Sequence, residues 1–120
     1  MLALRKAAFL DRDGVINLDR AYVSRWEDFE FVPGAVDAMC ALKQAGFALV
    51  VVTNQSGLAR GYYTEAQYQK LTLAMKQALA EAGVALEAVY HCPHHPLGAV
   101  ASLKMDCDCR KPAPGMIIRA

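Results

Sequence analysis

Apolar runs and helix-spaced apolar stripes alternate along this chain. Residues 6 to 10 form a short apolar run, and "FALVVV" at residues 47 to 52 is hydrophobic without interruption, as a strand buried on both faces should be. Between them, "PGAVDAMCALKQAG" sets Val36, Met39, Cys40 and Leu42 at roughly helical spacing, with Gly46 placed to close the last turn. A second helix is predicted from Thr64: Thr64 and Gln67 fit a capping box, Tyr68, Leu71, Met75 and Leu79 share one stripe, and Gly83 ends it. "VALEAVY", residues 84 to 90, reads as a third strand, and a further helix begins at "PGMIIRA". Strand, helix, strand, helix, strand implies a parallel sheet with right-handed crossovers, an α/β Rossmann-like fold flanked by helices.

That topology says where to look for chemistry. In open parallel sheets ligands bind beyond the carboxyl ends of the strands. Three stretches qualify: Asp11 to Asp13 after the first strand, Thr53 to Ser56 after the second, and a cysteine-rich region after the third.

Length and charge narrow the classes. A chain of 120 residues suits one domain, expected over 1–120 with a loop at 92–109 of its own character. Net charge is +1, and the basic residues are scattered, so no basic stripe for nucleic acid or anionic membrane is present. No apolar run approaches the roughly 20 residues that span a bilayer, and the N-terminus lacks a signal-peptide pattern. The expectation is a cytoplasmic, monomeric protein without nucleic-acid or membrane partners.

In "AAFLDRDGVIN" two carboxylates, Asp11 and Asp13, follow an apolar strand and precede Gly14. D-x-D-G can be an ordinary solvated turn. Two like charges at the end of a buried strand need compensation, however, and magnesium suits an oxygen-only site that also contacts phosphate. One carboxylate could then attack phosphorus while the other exchanges protons with the leaving group and with water. Thr53, Asn54, Gln55 and Ser56 add the hydroxyl and amide donors that a phosphoryl oxygen requires, which outweighs the turn reading. Strand alternation predicts that Arg12 points to the opposite side.

In "CPHHPLGAVASLKMDCDC" Cys92 and His94 are two apart, as are Cys107 and Cys109. Three thiolates and one imidazole make a complete tetrahedral zinc shell, which marks a structural site. Free thiols, or a disulfide from Cys109 to Cys107 or to Cys92, are the alternatives, and a reducing compartment disfavours the disulfide. His95 is the spare imidazole, expected outside the shell. Cys40 reads as a buried apolar thiol. The aromatic group Trp26, Phe29 and Phe31 reads as packing ahead of a substrate flap, while Arg60, Tyr62 and Tyr63 fit a ligand-facing turn and a solvated loop equally well.

"FLDRDGVIN", "VVTNQSG" and "CRKPAPGM" together resemble the first three motifs of the haloacid-dehalogenase-like (HAD) phosphatases, in the branch of heptose-bisphosphate and histidinol-phosphate phosphatases. The resemblance implies Asp11 as nucleophile through an aspartyl-phosphate and Asp13 as general acid and base. It implies magnesium on Asp11 and on the backbone carbonyl of Asp13, and Thr53 on the transferring phosphoryl group with Asn54, Gln55 and Ser56 extending the contact. Lys111 would screen nucleophile and phosphate, Arg110 would recognise substrate, and "DRAY", Asp19, Arg20, Ala21 and Tyr22, would line the pocket. The same branch carries a zinc loop, here Cys92, His94, Cys107 and Cys109. The implied activity is removal of the 7-phosphate from a small sugar phosphate, heptose 1,7-bisphosphate, in bacterial lipopolysaccharide or surface-glycan precursor synthesis. Histidinol phosphate is the alternative substrate, and polynucleotide 3′-phosphatases share similar motifs. A fourth family motif supplies a last magnesium carboxylate, yet no acidic residue follows Asp108. The C-terminal part of the fold is therefore expected to be absent, and a zinc-stabilised fragment without activity is the competing reading.

Overall fold

The computed structural model describes residues 6–119. Three parallel strands, β1 (Lys6–Leu10), β2 (Phe47–Asn54) and β3 (Ala88–Cys92), form one sheet in that order. Ala8 pairs with Leu49, and Val51 in turn pairs with Val89. Helix α1 (Ala35–Gln44) connects β1 to β2, and α2 (Glu65–Glu81) connects β2 to β3. A short α3 (Gly115–Arg119) and two single 3-10 turns, Trp26–Asp28 and Ala101–Leu103, complete the elements.

The central strand explains its own composition. Along β2, Leu49 and Val51 enter a core with Met39 of α1 and Leu71, Met75 and Leu79 of α2, while Val50 and Val52 face the other way with Cys92, Cys109 and Met116. A strand covered on both sides has no polar face, hence the unbroken apolar run. Met75 and Leu79 are completely buried, so truncating either to alanine costs about 2–5 kcal/mol. The capping box at Thr64 is present in both directions, which fixes where α2 starts and how residues 53–63 approach it. Trp26 stacks on Phe29 at 5.0 Å and Phe29 meets Phe31 edge-on at 5.2 Å, a packed aromatic group. No helix among the described residues is long and apolar enough to cross a membrane.

Two boundaries differ from the sequence pattern. β2 runs two residues further, so Thr53 and Asn54 are its last residues and not the start of a loop. β3 begins at Ala88, four residues later than the apolar run. Val84 is fully buried without being in a strand: its N–H bonds to Leu79 O at 2.8 Å as the chain leaves α2, and the Glu87 N–H reaches Leu49 O at 2.8 Å. Val84 and Leu86 are apolar because they close the core, and periodicity cannot separate that task from a buried strand.

Candidate functional site

The first strand ends at Leu10, and the next seven residues fold into a tight turn. Arg12 O accepts from the N–H groups of Val15, Ile16 and Asn17, and Gly14, at φ 86°, donates to Asn17 O at 2.7 Å. A left-handed residue is needed there, and glycine supplies it without steric cost. The turn aims both aspartates into a cavity of about 560 Å³, which Asp19, Ala21, Tyr22, Asn54, Gln55, Ser56, Gly57 and Tyr63 also line.

Asp11 keeps one oxygen on the Arg12 backbone N–H at 2.8 Å and the other on Lys111 Nζ at 2.9 Å. Lys111 is held in turn by Asn54. The Lys111 N–H donates to Asn54 Oδ1 at 2.9 Å, and Asn54 Nδ2 donates to Lys111 O at 3.3 Å. The last residue of β2 thus clamps the segment after the cysteines, 57 positions away, against the end of β1.

Asp13 is surrounded by donors. Oδ1 accepts from Arg12 Nε at 3.2 Å, Arg12 Nη2 at 2.9 Å and Asn17 Nδ2 at 3.0 Å, and Oδ2 accepts from Gln55 Nε2 at 3.1 Å. Arg12 therefore does not point to the opposite side, as alternation predicts. It is 2 % exposed, folds back on Asp13 and donates to Val23 O. Alternation fails because the strand has already ended two residues earlier.

The remaining expected residues are distributed unevenly. Thr53 is completely buried and its hydroxyl accepts from Gln55 Nε2 at 3.0 Å. Ala21 and Tyr22 sit at φ 53° and 60°, two consecutive non-glycine residues in the left-handed region. Such backbone persists only where its surroundings enforce it. Here Asp19 Oδ1 accepts the Ala21 N–H, and Tyr22 packs edge-on against Tyr62 at 4.5 Å. Arg20, between them, turns away to Glu30.

Sequence reasoning missed Asn17 and Gly57 and left Tyr63 undecided. Tyr63 is buried and donates its hydroxyl to Gln55 Oε1. Burial pushes its phenol well above the ordinary value of 10.0. A Cβ on Gly57 would lie 2.2 Å from Tyr63 Cε1, so this glycine is what admits the ring. The visible signal was the position of Gly57 directly after the donor cluster.

In the cysteine-rich loop, Cys92, His94, Cys107 and Cys109 bring all four donor atoms within 4.8 Å of one another. Sulfur separations are 3.3 Å for Cys92 and Cys107 and 3.4 Å for Cys107 and Cys109, and His94 Nδ1 lies 3.4 Å from the Cys109 sulfur. Zn–S bonds of about 2.3 Å at tetrahedral angles require S–S edges of about 3.8 Å, which these two edges approach. The structure also bonds Cys92 to Cys109 as a disulfide, the pairing that sequence reasoning disfavours. Their Cα atoms are 5.5 Å apart, which suits a disulfide or a shared metal alike. The two states exclude each other because a metal ligand must be a thiolate.

His95 lies outside this cluster. Its Nδ1 accepts the Leu97 N–H at 3.0 Å and its Nε2 is 3.2 Å from Arg60 Nη2. Desolvation, then the charges of Arg110 and Arg60, hold its pKa below that of a free imidazole. Arg60 thus docks the loop on the turn after β2, where Val100 also donates to Ala59 O at 2.8 Å. Cys40 is only half-buried and its thiol contacts Ala82 O at 3.6 Å.

A parallel sheet whose first strand delivers a D-x-D pair, beside a lysine clamped to the end of the second, defines a HAD-like phosphatase domain. The comparisons agree. A family model described as polynucleotide kinase 3 phosphatase matches residues 6–120. D-glycero-beta-D-manno-heptose-1,7-bisphosphate 7-phosphatase of Escherichia coli K12 is 57% identical over 114 residues, 95% of this chain and 60% of its own length. The crystal structure of D,D-heptose 1,7-bisphosphate phosphatase from B. bronchiseptica, complexed with magnesium and phosphate, superposes with a TM-score of 0.80 at 41% identity, covering 93% of this chain and 59% of that one. A Mesorhizobium loti structure described as HAD-like phosphatase gives a TM-score of 0.89 at 38% identity, over 96% of this chain and 55% of its own. The chain belongs to the HAD-like phosphatases, in the family described as polynucleotide kinase 3 phosphatase. It spans about 60% of the length of the curated relatives it matches.

Proposed function

We propose that this chain carries the nucleophile and proton carrier of a magnesium-dependent phosphomonoesterase acting on the 7-phosphate of D-glycero-D-manno-heptose 1,7-bisphosphate. One observation carries the reading: the Asp11 carboxylate, paired with Lys111 at 2.9 Å, opens with Asp13 onto one cavity at the ends of β1 and β2. An Asp11 oxygen attacks phosphorus in line, the phosphorus–ester oxygen bond breaks, and the Asp13 carboxyl gives its proton to the departing alkoxide. Asp13, now a carboxylate, takes a proton from water as that water attacks the aspartyl-phosphate. The bond between phosphorus and Asp11 breaks, inorganic phosphate leaves, and both residues return to their starting states. Lys111 neutralises charge on nucleophile and phosphate, and Asn54 keeps it there.

The donor set at this site is hard oxygen, which fits magnesium. The Asp11 carboxylate and the backbone carbonyl of Asp13 would hold it, with positive charge against the repulsion between two anions as its contribution. Zinc fits the second cluster, where Cys92, His94, Cys107 and Cys109 would enclose it and fix the direction of Arg110 and Lys111.

The substrate reading rests on relatives named for heptose bisphosphate, one of them 57% identical. A polynucleotide end is the reading that the family description favours. The net charge of +1 argues against it, because phosphate-backbone binding needs clustered cations. The pathway would be heptose precursor synthesis for bacterial lipopolysaccharide or surface glycans, in the cytoplasm. Release of inorganic phosphate with magnesium, measured for this protein and for Asp11→Asn across heptose bisphosphate, histidinol phosphate and a 3′-phosphorylated oligonucleotide, tests it. Equal background release from both proteins removes the enzyme reading.

A further inference from the structure

The expectation for Gln55 is an amide that extends the phosphate contact, yet its polar atoms are already engaged. Gln55 is 2 % exposed, one donor hydrogen goes to Asp13 Oδ2 at 3.1 Å and the other to Thr53 Oγ1 at 3.0 Å. Its carbonyl oxygen takes the Tyr63 hydroxyl. The side chain therefore forms a bridge from a buried phenol to the carboxylate that handles protons.

The two oxygens of that carboxylate are not equivalent. Oδ1 receives three N–H donors from Arg12 and Asn17, which exhausts its lone pairs. Oδ2 receives one, from Gln55, and keeps a lone pair. We infer that Gln55 and Tyr63 are positioning residues that hold Asp13 so that Oδ2 alone carries the proton exchanged with the leaving group and the attacking water. This rests on the reading of Asp13 as proton carrier given above.

Tyr63 anchors the far end of the bridge, and the Asp13 carboxylate, an acceptor only, sets its orientation. With the Gln55 amide turned over, its carbonyl would face the Asp13 carboxylate, acceptor against acceptor, and a phenol donating to Gln55 Oε1 favours the opposite arrangement. Desolvation keeps the phenol protonated and available as that donor. Gly57 belongs to the same device, since any side chain there would displace the ring that carries the hydroxyl.

Tyr63→Phe removes only the hydroxyl and keeps the ring. It should lower kcat for an alkyl phosphate roughly 3- to 10-fold, the worth of one net hydrogen bond, with KM unchanged. The burst of nitrophenolate from p-nitrophenyl phosphate should be unaffected, because that leaving group departs without a proton. An equal loss on both substrates would reveal a merely structural ring and overturn the inference, as would no loss at all. If the unaltered protein releases phosphate no faster than Asp11→Asn, the hydrolase reading fails on its own, and NMR decides the positioning claim. The Gln55 side-chain amide signals should then show coupling to the Asp13 side chain, shifting on Asp13→Asn, and lose that coupling in Tyr63→Phe. Absence of coupling in the unaltered protein overturns the claim.

Discussion

Around Asp13 one carboxylate is met by nitrogen donors from Arg12, Asn17 and Gln55, whereas around Cys107 three sulfurs and an imidazole nitrogen converge on one another. The first arrangement matches acceptors with donors taken from the surrounding fold. The second gathers three sulfurs and an imidazole nitrogen, weak hydrogen-bonding groups that become metal ligands once the thiols are deprotonated. The acid pocket is thus organised by the packing of β1, β2 and the turn beneath them. The cysteine loop shares the core through Cys92 and Cys109, and a disulfide or a metal joins its sulfurs.

The sharpest way to break this contrast is to remove the charge at its centre. Asp13→Asn should lower kcat by about 10²- to 10⁴-fold, the range for a lost acid–base group. It should also lower folding stability by about 1–3 kcal/mol in denaturant melts, because Arg12, 2 % exposed, would face a neutral amide. Next comes the loop. Stripping zinc, or Cys107→Ser, should reduce activity at least about tenfold by releasing Arg110 and Lys111 while amide-exchange protection in β2 and α2 persists. An unchanged rate in metal-stripped, magnesium-replete protein would contradict this, and a metal assay finding no zinc in the purified protein would leave the disulfide as the state of the loop.

Thr64→Ala supplies a baseline. It removes the cap of α2, should cost about 1 kcal/mol, and should leave zinc content and the pH profile unchanged. The smallest effect concerns Tyr63. Its folded pKa lies above the ordinary phenol value, so the contribution of the neutral phenol is fully present below about pH 10 and is lost as pH rises from there toward the folded pKa. Denaturant midpoints followed from about pH 9 to pH 11 should fall less steeply in Tyr63→Phe.

Much of the architecture was legible because it depends on short-range periodicity. The apolar run of β2 announced a strand covered on both faces, and the Thr64–Gln67 pair announced the start of α2. The start of β3 was misplaced because Val84 and Leu86 pack on the core without belonging to a strand, and burial alone does not distinguish these roles. The acid pair and the four zinc-type donors could be found from spacing, since each occupies a few adjacent positions. Gln55 was found as a donor for phosphate, Tyr63 was left between two readings, and Gly57 and Asn17 were missed. Their significance lies in the geometry between a hydroxyl and an amide, and in a ring lying where a Cβ would otherwise be.

By itself the sequence determined the sheet, its helices, the carboxylates at the end of β1 and the donor types in the cysteine loop, all of which follow from local pattern and residue chemistry. Only the tertiary structure decided which side chains those carboxylates answer to. Arg12 folds back on its own neighbour, Asn54 reaches 57 positions to grip Lys111, and Gln55 links Tyr63 to Asp13. These contacts depend on where a strand stops and how a turn closes, and hydrogen bonds are made only when distance and angle are right in three dimensions.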